Sequence, residues 1–219
     1  MLKFMLSFVV FASGCGSTDS TVMPEEGQSW WIDLAQAVVV DPEEANGLIS
    51  LVSDDYSTLV STINVTDTSF DLLFAIGEDG GGQDLCSRTA ELGGISLAED
   101  GSFSFGPEDF ALANGITNQD LEVSGTFSED ASLMNDIVIK GSVVLSSIPE
   151  DMFSLGGTDI CELLESIELE CGACRDGDID CLYIHTAGLS GKDQPGVTLE
   201  EVTEADLGAE CEQADTGGD

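Results

Sequence analysis

The stretch "DLEVSGTFSEDASLMNDIVIKGSVVL", residues 120–145, reads as two strands and the turn between them. Leu121, Val123 and Phe127 share one parity in its first half, and Ile137, Ile139, Val143 and Leu145 share one in its second. Period-two placement of apolar residues turns one face of each run toward a core and the other toward water. The polar residues from Ser128 to Ser132 separate the runs, so the pair predicts an antiparallel hairpin. Gly125 and Gly141 interrupt it, and glycine inside a strand marks a bulge or bend of the kind a curved sheet requires.

Upstream the same grammar recurs. Phe70, Leu72, Phe74 and Ile76 alternate at period two, and so do Phe103 and Phe105 between Gly101 and Gly106. "WWIDLAQAVVV", "STLVSTINV" and "GISLAED" fit further strands at short spacing, and "DPEEANG" predicts a brief helix with Asp41 as cap and Pro42 at its first position. The predicted fold class is mainly β: an antiparallel β-sandwich or small β-barrel of about seven to nine strands. This β domain is expected over residues 29–148.

From Pro149 the pattern changes. Asp159 is placed to cap a helix, and Ile160, Leu163, Leu164 and Ile167 fall on one stripe at helical spacing. Residues 149–211 are therefore expected as a helix plus a cystine-stapled segment packed on the β domain, with a frayed acidic tail over 212–219.

At the other end, Phe4 to Ala12 is an apolar run preceded by Lys3 and followed by the small residues Ser13 and Gly14. That is the layout of a signal peptide over residues 1–14, too short for the roughly 20 residues a membrane span needs. "ASGC", residues 12–15, resembles the lipobox of bacterial lipoproteins, although Ala12 stands where leucine is commonest in that family. The resemblance implies a diacylglycerol thioether on Cys15 and a membrane held through that lipid only. Cleavage by a general signal peptidase after Gly14 is the competing expectation. Setting Cys15 aside leaves Cys86, Cys161, Cys171, Cys174, Cys181 and Cys211, an even set suited to disulfides in an exported chain. Residues 15–28 are small, polar or acidic and read as the lipidated cysteine and a flexible tether.

The composition narrows the partners. Forty-three acidic residues against five basic ones give a net charge of −38, while 42% hydrophobic content suits a globular core. A chain with so few cations lacks the footprint that nucleic-acid binding needs, and anionic lipid head groups repel it. The acidity fits a saline external medium, or else recognition of cations or of a basic partner.

Motifs for chemistry are sparse. Cys161, Cys171, Cys174 and Cys181 contain one C-x-x-C pair but lack a second, so disulfides are preferred to zinc, with Cys86–Cys161, Cys174–Cys181 and Cys171–Cys211 as the expected pairing. Asp176, Asp178 and Asp180 match positions 1, 3 and 5 of a calcium loop, but Cys181 and Ala187 stand where that loop needs glycine and a bidentate acid. Calcium is thus a weak candidate, and no other cofactor is expected. "GEDGGGQD" has no lysine for a phosphate cradle, and His185 is the lone histidine, with no G-x-S-x-G elbow around Ser190. "CGACRDGDIDCL" resembles a cysteine-stapled C-terminal element of uncharacterised exported bacterial lipoproteins. These observations predict a lipid-anchored extracytoplasmic binding or structural module of the bacterial cell envelope, facing periplasm or exterior and meeting an envelope protein partner. One alternative is a barrel-type carrier of a small apolar ligand, with Phe70, Phe74 and Phe105 lining its cavity. The second is a hydrolase.

Overall fold

Residues 120–145 form the hairpin their pattern predicts. β7 (Thr117–Phe127) and β8 (Leu133–Val144) pair antiparallel from Asn118↔Val143 to Phe127↔Met134. The computed structural model describes residues 22–47, 57–78, 81–111, 115–148, 160–207 and 211. The expected signal peptide, Cys15, the first part of the tether, Asp159 and the acidic tail lie outside the described residues.

In the hairpin loop, Ser128 N–H donates to Leu133 O at 2.9 Å and Ala131 N–H to Ser128 O at 2.8 Å. Asp130 accepts from the Ser132 and Ser128 hydroxyls at 2.7 and 2.8 Å and from Ser132 N–H, which together hold its carboxyl at about 2. Two levels of the ladder are irregular, and Gly125 and Gly141 sit at them. The extra residue, however, belongs to the facing strand in each case: Asp120 (φ 53°) stands opposite Gly141, and Asp136 (φ 52°) opposite Gly125. The glycines leave room for close neighbours, the Phe103 ring at Gly125 and the Leu121 backbone at Gly141. A Cβ on Gly125 would lie 2.6 Å from Phe103 Cζ.

The sheet continues with β1 (Ser29–Ile32), β3 (Ser57–Ile63), β4 (Ser69–Gly77), β5 (Ala90–Leu97), β6 (Ser102–Ala111) and β10 (Ile179–Asp193). Their order is β1-β3-β4-β5-β6-β7-β8-β10, and pairing from Trp30↔Asp193 to Ile32↔Gly191 returns β10 to β1. All neighbours are antiparallel, so the sheet closes into an eight-stranded barrel. Two short strands, β2 (Val38–Asp41) and β9 (Gly172–Ala173), share with β1 one long edge of β10. Beyond it the outer edge of β2 is capped: the Asn46 carboxamide accepts from Val39 N–H at 2.8 Å and donates to Val39 O at 2.9 Å, as a neighbouring peptide would.

Four expectations change here. The break at residue 149 is no domain boundary, because β10 supplies a stave of the barrel; its apolar period is disguised by a register shift between Thr186 and Leu189. "WWIDLAQAVVV" is two strands around a 3₁₀ turn at Leu34–Gln36. "DPEEANG" does open a helical segment, but later than expected: a 3₁₀ turn, Glu43–Ala45, leads into α-helical Asn46 and Gly47, with Asp41 still in β2 and no side-chain cap. The helix α1 (Ile160–Glu165) is shorter than its stripe: Leu164 is buried, Ile167 is exposed, and the chain turns back to bury Leu169 instead.

The interior differs between the two barrel ends. At one end Trp30, Phe70, Phe103 and Phe127 form an aromatic cluster with ring centroids 5.0–5.9 Å apart, packed with Met134 and Ala131. Trp30 is fully buried and its indole N–H donates to Ala131 O at 3.1 Å. Residues 22–28, expected within the tether, are strapped across this end. Gly27 N–H donates to Thr62 O, the Gln28 amide to Ala131 O and to Asp193, and Glu26 accepts from Asn64 N–H and Val65 N–H. A second cluster, Val39, Leu145, Leu164, Leu169 and Leu182, lies under α1. A third forms on the outer wall, where the segment after β10 lays Val197 and Leu199 over Leu59, Leu73 and Ala75.

Two outcomes check this description. Gly125→Ala destabilises the barrel by about 1–3 kcal/mol in urea unfolding through overpacking against Phe103, while Gly82→Ala, whose Cβ meets open space, shifts stability by less than about 0.5 kcal/mol. The depressed Asp130 carboxyl stabilises the fold above pH 3.8, and that contribution fades as pH falls toward about 2. The stability gap between the natural chain and Asp130→Asn therefore narrows over that interval in acid titration; a constant gap contradicts the assignment.

Candidate functional site

One seam of the barrel is incomplete. β5 and β6 pair only through Ser96↔Ser104 and Leu97↔Phe103, next to their turn, while the other ladders of the barrel wall are longer. Beyond those pairs each strand bends toward its other neighbour. On β5 the extra residue sits at Gly93-Gly94, where Gly94 has φ 76° and donates its N–H to Asp71 Oδ1 on β4 at 2.6 Å. On β6 it sits at Gly106-Pro107, pressed against β7 so closely that a Cβ on Gly106 would overlap Leu121 O. Residues 90–95 and 105–110 are left as facing strand edges with no shared ladder.

Half-buried aromatics lie behind this seam. Phe74 of β4 and Phe110 of β6 meet at 6.2 Å between ring centroids although their strands are not neighbours, and Phe105, Val123 and Ile139 are likewise only partly covered. Phe70 and Phe103, at the other end of the same strands, are 0% and 4% exposed. Glu91 and Glu108 are exposed beside the seam. Asp109 is not free: Arg175 donates to both its oxygens at 2.9 and 2.7 Å and to Asp120 at 2.6 Å, and Arg175 N–H donates to Gln119. That guanidinium hydrogen bond lowers the Asp109 carboxyl below the usual carboxylate range and raises Arg175 in return. Arg175 belongs to the loop closed by Cys174–Cys181, so the cystine loop braces β6 and β7 near the seam.

The six described cysteines form three disulfides. Cys174–Cys181 is as expected, but the remaining pairs are Cys161–Cys171 and Cys86–Cys211 in place of Cys86–Cys161 and Cys171–Cys211. The chain reversal after α1, where Leu169 N–H bonds Leu164 O, brings Cys171 back to Cys161. Cys211 reaches Cys86 because Gln83 and Thr89 hold the backbone of Glu200 and Val202 alongside. All six thiols being oxidised, they cannot serve as zinc thiolates.

Asp176, Asp178 and Asp180 do not converge. Asp176 accepts from Asp178 N–H, and Asp180 turns away to accept from Ser146 N–H. No group of three potential metal ligands occurs among the described residues. His185 pairs in register with Lys140 and Asp41 on β8 and β2, and the Ser190 hydroxyl donates to Gln36. An open cleft of about 430 Å³ beside the strapped end is lined by Glu25, Glu26, Asp130 and Asp193, but Glu26, Asp130 and Asp193 already accept hydrogen bonds from the protein itself.

The seam was missed because its residues are scattered over five strands, β4 to β8. Its local signals were present as the mid-strand pairs Gly93-Gly94 and Gly106-Pro107, which mark bulges and, for proline, a lost donor. No family model, curated protein or solved structure matches this chain.

The two ends should respond differently to truncation. Phe70→Ala costs about 3–5 kcal/mol in denaturant unfolding, as for a fully packed aromatic, while Phe110→Ala costs about 1–2 kcal/mol. Equal losses would make Phe110 an ordinary core residue and leave the seam without an exposed apolar lining.

Proposed function

We propose that the protein is an extracytoplasmic binding module of a bacterial envelope, held by lipid on Cys15, and that it engages its partner at the β5–β6 seam. The observation that carries this reading is the abrupt end of the β5–β6 ladder over half-buried aromatics in a barrel otherwise closed on itself. Three disulfides fit the oxidising compartment that the leader implies. Residues 22–28 cross the barrel at its aromatic-packed end, opposite the part of the seam that is open, which supports a seam held clear of the membrane that the lipid would engage.

The carrier reading is favoured by the same half-buried Phe74, Phe105 and Phe110, but one end of the interior is filled by the Trp30 cluster. An outward-facing site on the seam uses what is exposed without needing a large enclosed cavity.

Native mass spectrometry of the protein extracted from its own membrane separates these readings. The expected particle begins at Cys15, carries diacylglycerol covalently and holds no small molecule that denaturation releases. A released apolar ligand would make the protein a carrier, and an unlipidated N-terminus would remove the anchor.

A further inference from the structure

Resting on the seam as the binding site, we infer that its ligand is an extended cationic segment of a partner protein, inserted as an extra strand between β5 and β6. Three features of the molecule converge on this occupant. First, the seam presents two facing strand edges, residues 90–95 and 105–110, and each is already paired on its far side. An edge so placed offers backbone donors and acceptors to an added strand. Of the two short strands on β10, β2 has its outer edge capped by the Asn46 carboxamide and β9 is only two residues long, whereas no described side chain bonds across the longer β5–β6 gap. At about 3.3 Å per residue, the gap takes a strand of roughly six residues.

Second, the lining alternates as an inserted strand would require. Side chains pointing into the barrel would meet Phe74, Phe105 and Phe110, which calls for apolar residues at every second position. Those pointing outward would meet exposed Glu91, with Asp109 engaged by Arg175, while exposed Glu108, level with Leu121 and of the parity of Phe110, stands on the barrel-facing side of the gap. Third, the chain carries a net charge of −38, which draws a basic segment toward the seam and opposes a second copy of this protein docking there. The partner segment is thus one that alternates lysine or arginine with apolar residues.

The test uses the full mature chain and a blocked fluorescent peptide of about six residues alternating lysine with valine, read by anisotropy and by amide hydrogen exchange. Binding should protect residues 90–95 and 105–110. A peptide of equal charge with a central proline should bind at least about tenfold more weakly, since proline removes a ladder donor. Glu91→Lys with Glu108→Lys, two exposed changes, should weaken the lysine peptide about tenfold and improve a glutamate-for-lysine peptide.

Equal binding of the proline peptide, or of the glutamate peptide to the natural chain, overturns strand addition by a cationic segment. So does protection of the same edges through self-association without peptide, seen by sedimentation. A neutral apolar dye measured in parallel separates this failure from that of the seam itself. Dye binding that Phe110→Ala abolishes, with no peptide binding, overturns the cationic strand but keeps the seam as a site. Absence of both overturns the two together.

Discussion

The rest of the structure depends on how the Trp30 side chain is buried. An indole taken wholly out of water must find an acceptor for its N–H, and here that acceptor is Ala131 O in the β7–β8 loop. The Gln28 amide converges on the same carbonyl, and the backbone of Trp30 pairs with Asp193 at the far end of the chain. One residue thus ties the first strand, the last strand and the central hairpin together. Gly191 completes the arrangement, since a Cβ there would stand 2.7 Å from Ile32 Cδ1 and 3.3 Å from Trp30 Cβ.

Firmness at that end lets the other end remain incomplete. Backbone groups along a barrel wall usually satisfy one another, and β5 and β6 depart from this over most of their length because their bulges point them at β4 and β7. Asp71 secures the first departure through Gly94 N–H and also accepts from Asn64, while Arg175 braces β6 and β7 through Asp109 and Asp120. The seam is thereby a supported opening. Arg175 is spent on the brace, and Arg88 and Lys140 pair with Glu204 and Glu122, so the exposed carboxylates set the local potential.

Legibility from sequence followed locality. The β7–β8 hairpin was readable because both parities and the loop fall within one short stretch. Cys174–Cys181 was readable because only a tight Asp-Gly turn separates the two cysteines. β10 was read as part of an appendage because its register shift moves Leu189 off the parity of Leu182 and Ile184. The other two disulfides depend on chain reversals set by tertiary contacts, Leu169 against Leu164 and the Gln83 clamp on Glu200, which no spacing rule encodes. The seam depends on which strands are neighbours, and that was unknown until the barrel closed.

The closure of β1 on β10 also orders the life of the chain in time. Ser29–Ile32 is made well before Gly191–Asp193, so the barrel cannot complete its wall until β10 has been made. Until then β1 and β8 each lack one of their two partners, and the interior between them stays open to water.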